Sequence, residues 1–398
     1  MTLHEAKETV VLAGKKLVES GLIARTWGNV SCRISDSHFV ITPSGRDYLS
    51  LTSDDIVEVA ISDLSYNGNI KPSSEKGVHA LVYKLHPEAG FVIHTHQDYA
   101  SAISSLMLDS ITVSEDFSYL KGEVVCADYG LPGTKKLRRG VEKALSRSKG
   151  KAVIMKNHGA LCFGSDYQET FKVAQQLEDA CILFIEEQYQ QISNKSDADL
   201  IKIGSYAISK LTGRTVAIPE SYSPRFWESK RSEKGFSFLI NDETLDVGFD
   251  SLSQYKKSHE DIYNILFVLN EIYKNNEHIN NIIHTNSTGA TVLSYAGIKL
   301  LPLLDDFAQI AGTSVKTTGM NSKEVIKALN SSSAVMLKED GALCCGSSRD
   351  DAMAVSMVLE KNCIAYIAAA LLGKVKPVNP LECLLMRFVY KTKYSKLK

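Results

Sequence analysis

Two histidines separated by one threonine stand at the end of the apolar stretch GFVIHTHQDYA, residues 90 to 100, in a chain with 10 histidines among 398 residues. Alternate residues of a strand point to the same face, so His94 and His96 project together while Thr95 turns away. Neutral imidazole is the commonest metal ligand, and three protein ligands with one open position describe a catalytic zinc site. The third ligand expected is His158 in KNHGALCFG, which closes a second apolar run, with Gly159 permitting a tight turn beside it. A lone strand-end histidine is ordinarily a hydrogen-bonded core or surface residue. A second such histidine, and the recurrence of both stretches later in the chain, move the balance toward a metal site.

A carboxylate follows from KPSSEKGVHALVYKLHP, where Glu75 immediately precedes a helix and Ser73 and Ser74 precede it. Ser-Ser-Glu at a helix start is ordinary capping chemistry. The same hydroxyls and free N–H groups also make an anion site. Gly28-Asn29-Val30-Ser31 and Thr42-Pro43-Ser44-Gly45 offer similar chemistry, although such residues also simply make turns. Neither G-x-G-x-x-G nor G-x-x-x-x-G-K-[ST] occurs, so the nucleotide-binding loops have no support.

The elements that position these residues appear twice. KAVIMKNHGALCFGS (151–165) matches SAVMLKEDGALCCGS (333–347) at an offset of 340 − 158 = 182, and FVIHTHQDYASAIS matches NIIHTNSTGATVLS at 284 − 94 = 190. So long a period indicates a duplicated domain rather than a solenoid. Residues 4–20 read as an amphipathic helix, SCRISDSHFVIT as two short strands around a turn, and KGVHALVYKLHP as a helix closed by Pro87. SDYQETFKVAQQLEDACILFIEEQY reads as a long helix opened by a Ser165/Gln168 capping-box pattern. Helices interleaved with strands indicate an α/β fold, here duplicated in tandem. The polar, Pro-containing stretch 212–235 is the expected linker, between a domain at 1–211 and a second at 236–398. The second copy shows no convincing counterpart of TWGNVS or TPSG.

With 44% hydrophobic and 23% charged residues and a net charge of −1, the composition is that of a soluble globular protein with no electrostatic case for nucleic acid or acidic membranes. No apolar run reaches the ~18 uninterrupted residues of a membrane span, and the N-terminus lacks the marks of a signal peptide. The 8 cysteines show no C-x-x-C spacing, which fits buried thiols in a reducing compartment and a cytoplasmic address.

Taken together, GNVS, TPSG, SSE followed by HALVYKLHP, HTH and NHG, in that order over residues 1 to about 200, resemble the class II aldolase/adducin family. The resemblance implies a three-layer α/β/α sandwich around a central mixed β-sheet. It also implies a divalent metal, usually zinc, held by His94, His96 and His158. Glu75 then matches the proton-transfer residue, and Asn29, Ser44, Gly45, Ser73 and Ser74 match the phosphate cradle. The activity implied is that of an L-fuculose-1-phosphate-like aldolase, which cleaves a ketose phosphate to dihydroxyacetone phosphate and an aldehyde. Epimerisation, dehydration or decarboxylation on the same scaffold is the alternative, as is a non-enzymatic adducin-like scaffold. Downstream of His-x-His, VSEDFSYLKG matches neither the aldolases nor the epimerases cleanly, leaving Asp116 and Tyr119 as candidates.

The second copy keeps His284 but has Asn286 and Asp340 where the other two ligands belong, and Ile265 where the carboxylate belongs. It is expected to be catalytically dead. Because the family commonly forms fourfold rings, the resemblance implies a homodimer whose four domains make a pseudo-fourfold ring with two live sites.

Overall fold

The structure, a computed structural model, describes the chain except for residues 21, 24–26, 220, 221, 223, 224 and 395–398. It divides into two compact units, Met1–Gln188 with Lys391–Lys398, and Tyr189–Tyr390. The first is built on an eight-stranded sheet: β1 (Asn29–Arg33), β2 (His38–Ile41), β3 (Val57–Ala60), β4 (Phe91–Thr95), β5 (Ser110–Thr112), β6 (Glu123–Ala127), β7 (Ala152–Met155) and β8 (Gly159–Gly164). Their order is β3-β2-β1-β4-β8-β7-β6-β5, antiparallel throughout except for the parallel pair β6–β7, so the sheet is mixed.

Period-2 alternation sorts the strands between two cores. Val30, Phe91 and Ile93 pack with Ala6, Val10, Ala13 and Leu17 of the helix Leu3–Glu19, which opens with a Thr2/Glu5 capping box. Val92 and Leu161 pack on the opposite face with Val78 and Val82 of Lys76–Leu85 and with Leu137 and Val141 of Lys135–Arg147. Helices on both faces of one sheet make the three layers. His94 continues the Val92 side of β4, which turns it toward the helix Lys76–Leu85.

The second unit repeats this plan with β9 (Trp227–Arg231), β10 (Gly235–Ile240), β11 (Glu243–Gly248), β12 (Asn281–Thr285), β13 (Thr317–Thr318), β14 (Ala334–Leu337) and β15 (Ala342–Gly346). Their order, β11-β10-β9-β12-β15-β14-β13, is the first sheet's order without, among the described residues, a counterpart of β5. The helix Arg349–Leu371 is long and apolar enough by composition to cross a bilayer, yet it carries Glu360 and Lys361 and 78% of its apolar window is buried inside the protein.

Three details differ from the sequence reading. The expected linker 212–235 contains β9, and the compact units divide at residue 188 rather than 211. The reason is tertiary: the helix Leu200–Thr212 packs on Arg349–Leu371 and Thr288–Ala296, contacts far away in sequence. The second copy does possess a counterpart of the NVS strand. β9 pairs with β12 as β1 pairs with β4, aligning Trp227 with Asn29, Ser229 with Ser31 and Arg231 with Arg33 at an offset of 227 − 29 = 198. Finally, the long helix Tyr167–Ser193 is capped one residue later than expected: Asp166 Oδ1 accepts from Glu169 N at 2.8 Å, and Glu169 Oε2 accepts from Ser165 N at 2.6 Å.

Candidate metal centre

β4 delivers His94, the residue just past its end is His96, and the β7–β8 turn delivers His158. That turn places Asn157 in the left-handed region at φ 58°, and a Cβ on Gly159 would lie 2.3 Å from the Thr95 carbonyl, so glycine is required there. All three imidazoles are buried, and their ligand atoms lie within 4.8 Å of one another, a group able to hold a metal ion. His94 Nδ1 donates to the Ala160 carbonyl at 2.8 Å, which leaves a lone pair on Nε2. Burial pushes the His94 imidazole down to about 3, so the ring is neutral at physiological pH.

Glu75 caps the start of Lys76–Leu85 by position but makes no side-chain cap bond; its carboxylate turns to the histidines. Oε2 lies 3.2 Å from His94 Nε2, and Oε1 lies 3.0 Å from His158 Nε2. Burial alone raises the Glu75 carboxyl, and the facing His94 and His158 outweigh it, holding the group well below its ordinary value. Both shifts describe one state: a carboxylate facing neutral rings. His94 Nε2 also lies 3.0 Å from His96 Nε2. Three buried imidazoles, with the His94 Nε2 lone pair turned toward the Glu75 carboxylate, make a donor set that fits a divalent metal.

A further set of buried residues holds the carboxylate. Asn29 Nδ2 donates to Glu75 Oε2 at 3.1 Å, and Asn29 Oδ1 accepts from His79 Nε2. His79 Nδ1 is 2.6 Å from Ser31 Oγ, which is 2.7 Å from the Tyr83 hydroxyl. Burial pushes His79 down to about 3, making it a neutral ring that donates from one nitrogen and accepts at the other. The direction of the chain is thereby set: Tyr83 donates to Ser31, Ser31 to His79, His79 to Asn29, and Asn29 to Glu75. His79 and Tyr83 escaped the sequence reading. Their signal is the spacing Glu75, His79, Tyr83, four residues apart, which places all three on one face of a helix.

The expected phosphate cradle is brought together in part. Ser44 N donates to Lys71 O at 2.9 Å and Ser73 N to Thr42 O at 3.0 Å, zipping TPSG to KPSSE. Gly45 takes φ 72°, Ser74 is exposed, and Ser73 Oγ accepts from Glu75 N at 3.2 Å. Asn29 is engaged at both ends of its amide, by Glu75 and by His79, and so orients the carboxylate. Asp116 is exposed, and the Tyr119 ring lies 5.8 Å from Lys151 Nζ.

In the second copy the corresponding place is filled. Trp227, 1% exposed, stacks on His284 at 5.0 Å and 7°. His284 Nδ1 lies 2.7 Å from the Arg225 carbonyl and Nε2 lies 2.6 Å from the Asp340 carbonyl, so both ring nitrogens are engaged by backbone. Ile265 is buried in the core.

The first unit is thus a three-layer α/β sandwich whose buried triad of imidazoles, with a carboxylate facing it, could hold a divalent metal. The family model described as Class II Aldolase and Adducin N-terminal domain matches residues 8–185 and again 226–367, and the chain belongs to this family. The chain is 33% identical over 180 residues to a 5-deoxy-D-ribulose 1-phosphate aldolase of Bacillus thuringiensis serovar kurstaki, covering 45% of this chain and 83% of that one. It is 31% identical over 208 residues to a 3-oxo-tetronate 4-phosphate decarboxylase of Haemophilus influenzae, covering 50% of this chain and 96% of the relative. Among solved structures, an L-fuculose 1-phosphate aldolase is 27% identical with a TM-score of 0.42, covering 48% of this chain and 87% of that one.

Proposed function

We propose that the first copy is a metal-dependent aldolase, which cleaves a ketose 1-phosphate between C3 and C4 to give dihydroxyacetone phosphate and an aldehyde. One observation carries this reading: the buried Glu75 carboxylate set 3.2 Å from His94 and 3.0 Å from His158. The named activity of the Bacillus relative supports the substrate class. A divalent ion, by preference zinc for three imidazole ligands, supplies Lewis-acid stabilisation of the negative charge that cleavage leaves on the triose-phosphate fragment. Glu75 carries the proton between substrate atoms, kept ionised and aimed by Asn29. The hydroxyls of Ser44, Ser73 and Ser74 and the N–H groups of Gly45 and Ser74 anchor the phosphate without competing for the metal.

A second reading, decarboxylation of a related phosphorylated sugar acid, is favoured by the relative matched over 96% of its length. Incubating metal-analysed protein with ketopentose and deoxyketohexose 1-phosphates and with 3-oxo sugar-acid phosphates decides between them. Triose-phosphate release is the expected result, carbon dioxide release supports the second reading, and isomer formation assigns an epimerase. Protein that holds no metal and turns over nothing would leave only a binding scaffold. We further propose that two chains assemble a four-domain ring with two live sites; native mass spectrometry of a stable monomer, or of a four-chain ring, rejects it. The assignment to the cytoplasm is supported by the cysteines, all eight of which are buried free thiols.

A further inference from the structure

Away from the metal centre, the second unit contains a cavity of about 400 Å³ whose lining includes Arg214, Thr215, Thr317, Thr318, Glu324 and Lys338. Its place in the fold has a counterpart in the first copy, because Lys338 N donates to Thr318 O at 2.8 Å as Lys156 N donates to Ala127 O at 3.2 Å. There Lys156 is 7% exposed at its side chain and closed off by two acids, Asp109 at 3.0 Å and Asp128 at 3.3 Å. In the second copy both acids are gone: Leu300 faces Val315 as Ile111 faces Val124, which puts Ile298 at the place of Asp109, and Gly319 stands at that of Asp128. Lys338 is 65% exposed at its side chain, its nearest ion-pair partner being Glu339 at 3.7 Å, also on the surface. Arg214 adds a second cation.

The hydroxyls give a second, independent sign. Thr318 Oγ1 is buried with no hydrogen-bond partner among the described residues, a costly state unless a ligand or water completes it. Thr317 Oγ1 has its proton committed to the Ile298 carbonyl at 2.7 Å. Gly319 is open, with nothing within 4 Å of where a Cβ would stand, so an incoming group can approach the backbone. Two cations and a donor hydroxyl select a compact anion, while the Glu324 carboxylate suits a hydroxyl on the same molecule. The volume matches a small ligand rather than a macromolecule.

We infer that the second copy, having lost its metal site, holds a separate binding site for a small phosphorylated, hydroxyl-bearing metabolite between Lys338, Arg214 and Thr318. The test uses the full chain and inorganic phosphate, read by amide hydrogen exchange. Phosphate is expected to slow exchange in peptides covering 313–320 and 334–340. In Lys338→Glu the phosphate concentration for half-protection should rise by at least about tenfold. Thr318→Val, nearly isosteric, should raise it less while leaving the fold intact. No slowing in those peptides, or equal slowing in Lys338→Glu, overturns the inference. Protection confined to 42–45 and 71–75 rejects this site and leaves the proposed function standing, because those residues belong to the first copy's cradle.

Discussion

At one position of two equivalent sheets the first copy has Asn29 and the second has Trp227, each paired in register with a β-strand histidine. Around Asn29 lies a buried polar set: Glu75, His79, Ser31, Tyr83, His94 and His158 satisfy one another or face a place suited to a cation. Around Trp227 the same volume holds an indole stacked on His284, with Leu269 replacing His79 and Ile265 replacing Glu75. What survives in both copies is the part that builds the fold. Tyr273 still donates to Ser229 at 3.1 Å, and Arg231 still reaches the Tyr273 carbonyl at 2.6 Å as Arg33 reaches that of Tyr83. Glu178 accepts from Tyr99 N and Ala100 N at 2.8 and 2.9 Å, and Glu360 accepts from Gly289 N and Ala290 N at 2.7 and 2.8 Å. Scaffold and chemistry are therefore separable, residue by residue, within a single chain.

The sharpest way to break this contrast is to copy the second site into the first. His96→Asn with His158→Asp reproduces Asn286 and Asp340, and is expected to abolish metal binding and reduce turnover to background. One ion per chain in the unmodified protein, measured by elemental analysis, is the companion expectation; two ions per chain would sink the account of the second copy. Glu75→Gln should retain the metal but lower kcat by roughly 10²–10⁴-fold. Retained turnover would remove Glu75 from the proton-transfer role.

Stability measurements sharpen the comparison from the other side. Trp227→Ala should destabilise the second unit by about 3–5 kcal/mol in denaturant unfolding, as expected for a large buried aromatic. His79 adds a pH signature. Its folded value lies near 3 against an ordinary 6.5, so the unfolded chain binds the extra proton first. Stability contributed by the neutral ring is full above pH 6.5 and erodes as pH falls toward 3. His79→Leu, copying Leu269, should flatten the fall in unfolding midpoint between neutral and mildly acidic pH; an unchanged slope would exclude His79 as a source. The smallest effect expected is for Tyr83→Phe, about 1 kcal/mol, from loss of one buried hydrogen bond.

The convergence of the three histidines was legible because strand alternation and strand ends are local properties, and because the duplication pointed to the same two stretches. The doubly wrapped sheet was legible for the same reason. The set that holds Glu75 was not, because it depends on how a helix face meets a strand: Asn29 looks like any turn or cradle residue until His79 and Glu75 close on it. Trp227 was hidden by an offset that changes from 190 to 198 and by a side chain unlike its counterpart. The division of the compact units at residue 188 was not legible, because the helix Leu200–Thr212 joins its unit through distant partners that no local pattern reveals.

His284, held at both ring nitrogens by main-chain oxygens, has a consequence for any attempt at resurrection. Reintroducing two imidazoles and a carboxylate would not revive the centre, since both nitrogens of the surviving ring already face main-chain oxygens and an indole stacks on its face. Reversal demands that the peptide near Arg225 retreat as well, so the route back is barred by backbone as much as by mutation count.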